Sequence, residues 1–207
     1  LIRAAEALAG EYPDLEVHAV CTDYTTDFVV PGPKDRIAAR RLGFFPGSTI
    51  GNFETDAARE FLAAAARTLG RNGAMVIGTD LQKDKEILEA AYDDAAGVTA
   101  AFNLHLLERI NEELGGTFDL DRFRHVALYN DSTARIEMHI ESLAEQSVEV
   151  ADETFAFAEG ERIHTENSHK YTVDGFCALA ASAGFEAKQT WSDEDGLFAV
   201  HYLAVAN

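Results

Sequence analysis

LGFFPGSTIGNFE, residues 42–54, starts as a buried strand and then breaks off. Leu42, Phe44 and Phe45 are apolar, whereas Pro46, Gly47 and a row of small residues lead to the amide of Asn52. The next stretch, TDAAREFLAAAARTLG (55–70), has the spacing of an amphipathic helix: Thr55 can cap it, Phe61, Leu62, Ala65 and Leu69 share a face, and Gly70 ends it. AMVIGTD (74–80) then reads as another buried strand, so the three elements predict a parallel βαβ crossover. Ligands of open α/β sheets bind beyond the carboxyl ends of the strands. The glycines of PGSTIGN would let backbone approach such a ligand, with Asn52 offering a donor and an acceptor. A helix-entry loop with Asn52 as a local cap fits the same spacing, and the stretch alone leaves both readings open.

Outward from this unit the elements alternate. Residues 1–9 read as a helix, LEVHAVC (15–21) as a strand, PGPKD (31–35) as a turn and 38–46 as a second strand. Two helices are expected at 84–95 and 98–114, joined near Gly97. RFRHVALYN (122–130), ARIEMHIESL (134–143), QSVEV (146–150) and ETFAFA (153–158) suggest an antiparallel meander with turns at NDST and ADE. A helix at 172–183, the strand FEAKQTW, the turn SDEDG and the strand LFAVHYLAV end the chain as a hairpin closing a mostly parallel sheet. The expected fold is therefore a doubly wound α/β domain made of 1–81 and 172–207, with an inserted α+β substrate-binding unit at 82–171.

Composition narrows the function. The 207 residues are 47% hydrophobic, enough for a sizeable core, and 36 acidic against 17 basic residues give a net charge of −19. Such a chain repels nucleic acid and anionic membrane, which points to small molecules or protein contacts. The seven His are scattered without metal-ligand spacing, so no metal is expected. Cys21 and Cys177 lie in apolar stretches and read as buried free thiols of a reducing, cytoplasmic compartment. No apolar run approaches the ~20 residues that span a bilayer. A monomer is expected. The chain opens at Leu1 inside LIRAAEALAGEYPDLEV, which looks like the back half of a helix running into a strand, so a fragment lacking its N-terminal part is also expected.

Three further polar clusters carry candidate chemistry. In HTENSHKY (164–171), Glu166 and Ser168 point to one side if the segment is extended, where they could hold a ring N–H or an ammonium; a solvated strand end is the alternative. In AYDDAAGVTAAFN, Tyr92, Thr99 and Phe102 could line a pocket or pack between helices. In TDY (22–24), Asp23 could accept hydrogen bonds from a ligand and Tyr24 could stack on a flat ring.

GFFPGSTIGNF, GTDLQKD, AYDDAAGVTAAFN, RIEMHI and HTENSHKY together resemble the L-histidine Nα-methyltransferases of ergothioneine biosynthesis, in order and along the whole chain. The resemblance implies a class I methyltransferase fold with a second, substrate-recognising domain. It also implies trimethylation of the α-amine of L-histidine to hercynine, with S-adenosyl-L-methionine as donor. Asp23 and Tyr24 would contact the adenine of that donor, and Asn52 and Tyr92 the amino and carboxylate ends of the substrate. Glu166 and Ser168 would clamp the imidazole, with Asn167 shaping the loop between them, while Thr99, Phe102 and Met138 would line the same pocket. The family's glycine-rich first motif, its acidic ribose-binding residue and the segment completing its substrate pocket would precede Leu1. No side chain in the motifs is an obvious general base, so positioning is expected to dominate. A truncated, non-catalytic relative, or an N-methyltransferase for another amino acid, remain the alternatives.

Overall fold

The structure, a computed structural model, describes residues 1–26, 29–35 and 38–206. Helix α1 (Ile2–Glu11) buries none of its residues. The expected βαβ unit forms from β1 (Leu42–Phe45), α2 (Thr55–Leu69) and β2 (Ala74–Asp80), with β1 and β2 parallel from Leu42–Ala74 to Phe45–Ile77. β1 is shorter than the predicted 38–46 because it lies at the sheet edge, and only the residues opposite Ala74–Ile77 have ladder partners. α2 buries Ala58, Leu62 and Ala66, with Phe61, Ala65 and Leu69 flanking that face, and it ends at Gly70 in a positive-φ conformation. Its N-cap is Glu54, without a side-chain bond; Thr55 is already the first helical residue, one place too late to cap.

LEVHAVC does not become a strand. No strand lies beside it among the described residues, and an extended segment without a ladder stays solvated. Cys21 is consequently exposed and Cys177 half-buried, so the expectation of two buried thiols fails.

The middle of the chain builds a separate layer from α3 (Lys85–Tyr92), α4 (Val98–Leu114), β3 (Phe123–Asn130) and β4 (Arg135–Ser142), continuing through β5 (Gln146–Val150), β6 (Glu153–Phe157) and β7 (Arg162–His169). It is not a simple meander: β7 returns to pair with β4, giving the order β3-β4-β7, and β5-β6 stands apart as a ribbon. Leu107, Phe118, Phe123, Ile140 and Val148 form one core here, and Leu88, Ile136 and Met138 another beneath α3.

α5 (Val173–Ser182), β8 (Phe185–Ser192) and β9 (Phe198–Val205) complete the first sheet in the order β1-β2-β9-β8. β9 is antiparallel to both neighbours, so among the described strands only β1/β2 is parallel and the sheet is mixed. Its core includes Ile50, Leu62, Ile77, Phe176, Phe185 and Leu203, each at most 2% exposed, and burial of each such side chain stabilises by about 1.5–3 kcal/mol. The chain leaves this sheet at Leu81 and returns at Tyr171, and these two residues form a bridge. The Gln82 and Tyr171 amides donate across the crossing to the carbonyls of Tyr171 (2.9 Å) and Asp80 (3.0 Å).

Candidate functional site

PGSTIGN is pinned on two sides, which explains why it is built of small residues. A Cβ on Gly78 of β2 would lie 2.0 Å from the Pro46 carbonyl oxygen, and one on Gly51 would lie 2.7 Å from that of His169. Only glycine allows either approach. Ser48 takes a left-handed conformation (φ 54°), and its Oγ accepts from the Asp80 amide at 2.8 Å. Thr49–Asn52 then form one turn of 3-10 helix directly against β7. The Asn52 side chain therefore comes to line one cavity with Glu166, although the two residues are 114 positions apart in sequence. Burial pushes the Glu166 carboxyl above the usual carboxylate range, opposed by the Asn52 amide and the charge of Lys170. Asn52, His164, Thr165, Glu166 and Asn167 line a cavity of about 310 Å³.

The β4–β7 register sets Glu166 opposite Met138 and Ser168 opposite Ile136, which puts both polar side chains on one face as the spacing predicted. Ser168 Oγ lies 2.8 Å from Tyr92 Oη, so the last residue of α3 joins the end of β7. Lys170 is 2% exposed, and its Nζ donates to Asp80 Oδ2 (2.7 Å), Tyr92 Oη (2.8 Å) and Ser168 Oγ (2.9 Å). Lys83 Nζ takes the other Asp80 oxygen at 2.6 Å. Sequence reasoning missed Lys170 and Asp80, although both stand in quoted motifs. The signal was present: Glu166, Ser168 and Lys170 share the two-residue period of a strand face.

His125 also went unnoticed. Its Nε2 is 2.8 Å from the Tyr92 carbonyl, and its Nδ1 is 2.9 Å from Asn103, so it ties down the end of α3.

The remaining expected residues scatter. Asn167 lies within β7, not in a loop, and faces the other side, where its Nδ2 donates to Glu54 (2.8 Å) and its Oδ1 meets His164 Nε2 (2.7 Å). Met138 is 3% exposed in the core with Leu88 and Ile136, against which Tyr92 and Tyr129 pack; it backs Tyr92 and does not line the cavity. The Thr99 amide donates to Asp94 at the start of α4 (2.8 Å), and Phe102 is 68% exposed. Neither lines the 310 Å³ cavity, and nor do Tyr92 and Ser168.

Asp23 and Tyr24 are adjacent and exposed. The Thr25 hydroxyl (2.6 Å) and amide (2.9 Å) donate to the Asp23 carboxylate and hold its pKa below the ordinary value. The Tyr24 ring stands edge-on to Phe45 and Phe61 at the rim of an apolar cavity of about 540 Å³.

On the outer face of β4 and β7, Glu137, His139 and His164 bring potential ligand atoms within 4.8 Å of one another. The two imidazoles are stacked, with centroids 4.6 Å apart and planes 29° apart.

Comparison with known proteins bears on this arrangement. The profile of the family described as "Histidine-specific methyltransferase, SAM-dependent" matches residues 1–205. The histidine N-alpha-methyltransferase of Mycolicibacterium smegmatis is 43% identical over 94% of this chain and 60% of its own length. That of Mycobacterium tuberculosis is 39% identical over 99% and 63%. The chain thus spans about three fifths of the length of these relatives. Ergothioneine biosynthesis protein 1 of Neurospora crassa is 31% identical over 76% of this chain and 18% of its own length. Among solved structures, an S-adenosylmethionine-dependent methyltransferase from Clostridium acetobutylicum superposes with a TM-score of 0.50 at 12% identity, covering 100% of this chain and 71% of that one, which bears on the fold alone. The profile match and the mycobacterial relatives lead to one conclusion: this chain belongs to the S-adenosylmethionine-dependent, histidine-specific methyltransferase family.

Proposed function

We propose that the protein trimethylates the α-amine of L-histidine to hercynine, the first step of ergothioneine biosynthesis, with S-adenosyl-L-methionine as donor. The observation that carries this reading is the small polar cavity that Asn52 and Glu166 line together, beside the Ser168–Tyr92 pair. It presents an amide and a carboxylate, with two hydroxyls further along the same strand face, the complement of an amino acid with a polar ring. Glu166 accepts an imidazole N–H, Ser168 and Tyr92 supply hydroxyls, and Asn52 orients the α-amine. Residues 1–81 and 172–207 form the cofactor-binding domain and 82–171 the substrate domain, with the site at their crossing. A cytoplasmic monomer is the assembly this reading adopts.

Asp23 and Tyr24 would hold the adenine of the donor, whose sulfonium supplies the methyl group. The chain's own task is to bind the amine neutral and aim its lone pair. Free α-amines are mostly protonated at neutral pH, since even peptide termini titrate near about 8. The proton passes to water, because no titratable side chain is assigned to the amine. Orientation by Asn52 and Tyr92 can then supply roughly 7–11 kcal/mol of the barrier.

The test is mass-spectrometric analysis of histidine incubated with the donor and protein expressed from the complete coding sequence. Mono-, di- and trimethylated histidine should appear. Exclusive methylation of another amino acid, or none, would overturn the reading.

A further inference from the structure

The outer face of β4 and β7 carries groups that the proposed reaction does not use. In a regular strand His164 would point to the same side as Glu166 and Ser168. It does not, because the register shifts between Met138 and His139: Met138 pairs with Glu166, whereas His139 pairs with His164. Thr165 is the extra residue of this bulge, and its hydroxyl donates to the Met138 carbonyl at 3.0 Å. Bulges re-aim side chains in this way. His164 is thereby brought beside His139 and Glu137, and one potential ligand atom from each lies within 4.8 Å of the others. Sequence spacing hides the cluster, since the bulge is what assembles it.

Hydrogen bonding around the three residues leaves each with an atom to offer. Asn167 Nδ2 donates to Glu54, so its Oδ1 faces His164 Nε2 at 2.7 Å. An amide oxygen only accepts, so His164 Nε2 carries the hydrogen and Nδ1 keeps the lone pair. On Glu137, Arg135 (2.8 and 2.9 Å) and Asn130 (3.0 Å) all bond Oε1. That leaves Oε2, which lies 3.5 Å from His139 Nε2. His139 is the unexplained member. Both of its ring nitrogens are buried, and neither has a hydrogen-bond partner among the described residues. Each stranded nitrogen costs about 1–3 kcal/mol unless something binds it. The guanidinium groups on this face are already met, Arg135 by Glu54 and Glu137, and Arg124 and Arg162 by Glu141.

We propose that Glu137, His139 and His164 bind a divalent transition-metal ion of the zinc type, which pins β7 to β4 at the bulge. Two imidazoles and a carboxylate suit zinc and its neighbours, whereas calcium and magnesium take oxygen ligands. The outer contacts are those of a metal site. The His164 ring donates its other N–H to Asn167, which Glu54 holds, and the Glu137 carboxylate is itself hydrogen-bonded by Arg135 and Asn130. Zinc bonds of about 2.0–2.2 Å require the three ligand atoms to draw closer together on binding. Three protein ligands leave a further position open, and His164 also lines the cavity with Asn52 and Glu166, so the ion stands at its rim. This site does not depend on histidine being the substrate.

The experiment is calorimetric titration of zinc chloride, with no histidine present, into protein expressed from the complete coding sequence and stripped with a chelator. The wild type should bind zinc and melt at a higher temperature in its presence. His139→Ala should weaken zinc binding by at least about 100-fold, the upper range for disturbing even an outer partner of a metal site. Glu137→Gln, which keeps the side chain's size, should do the same, and it carries the test should the Ala variant not fold. Asn167→Ala removes only an outer contact and should cost about 10- to 100-fold. His105→Ala, which removes an exposed imidazole paired with Glu108 on α4, should change nothing. No zinc binding by the wild type, or binding that His139→Ala and Glu137→Gln leave unchanged, would overturn the proposal. Neither result would touch the histidine reading, which is tested by methyl transfer and not by zinc.

Discussion

The two halves of the candidate site are held by different means. The half proposed for the substrate is assembled from parts distant in sequence: Asn52 and Glu166 line one cavity, Tyr92 meets Ser168, and Lys170 reaches Asp80 across 90 positions. The half proposed for the cofactor, Asp23 and Tyr24, is held locally, by Thr25 two residues on from Asp23 and by ring edges from Phe45 and Phe61. A constellation fixed by packed elements and buried hydrogen bonds is preorganised before its ligand arrives, whereas an exposed turn keeps its freedom. The substrate half should therefore be sensitive to small changes in the backbone framework, and the cofactor half tolerant of them.

The largest effect is expected where the framework is tightest. Gly78→Ala puts a methyl 2.0 Å from the Pro46 carbonyl oxygen, against backbone that has nowhere to go. It should cost about 3 kcal/mol or more, the upper range for overpacking, read as the shift in urea midpoint. An unchanged midpoint would mean that PGSTIGN is loosely attached and that the contrast between the halves is false.

A smaller effect, of opposite sign, is expected at Glu166. Its carboxyl titrates above the usual range, first because burial disfavours the charge. The folded protein thus holds that proton more readily than the unfolded chain. The corresponding stability is fully present below the ordinary carboxylate pKa and is lost as pH rises through the folded value. At neutral pH the wild type carries the cost of a buried anion, so Glu166→Gln should be the more stable protein there, and the gap should close on acidification. Thermal melts at neutral and acid pH measure this; a less stable Gln variant at neutral pH would show that the site is not strained towards its ligand.

The smallest effect is expected in the cofactor half. Thr25→Val removes one exposed hydroxyl bond to Asp23 and should change stability by less than about 1 kcal/mol, with histidine affinity unchanged. Altered histidine binding would mean that the two halves are coupled through the framework.

Much of this architecture was legible from residue patterns, and the failures share a cause. Hydrophobic period and punctuation located α2, β2, β5 and α4 to within a residue or so, because each buries a face of its own sequence. LEVHAVC carries the same alternation and is no strand, because a strand needs a neighbour and period 2 does not reveal one. Met138 was assigned to the pocket by resemblance, yet it packs beneath Tyr92, since a β4 residue on the core face meets helix α3 before it meets solvent. Glu166 and Ser168 were legible as a same-face pair. Lys170 extends the same period but was overlooked, because a lysine two residues beyond a polar pair looks like ordinary solvated surface until a half-buried aspartate on another strand is placed against it.

The account turns on Glu166 reading a polar ring, and the most direct measurement is methyl transfer to histidine and to phenylalanine by the wild type and Glu166→Ala, with protein from the complete coding sequence. Loss of a charge-assisted bond and stranding of the ring N–H should cost the histidine reaction on the order of 2–4 kcal/mol in kcat/KM, while the phenylalanine reaction, which never used that bond, changes little. An equal loss for both substrates would make Glu166 a structural residue and contradict the assignment of this site to histidine.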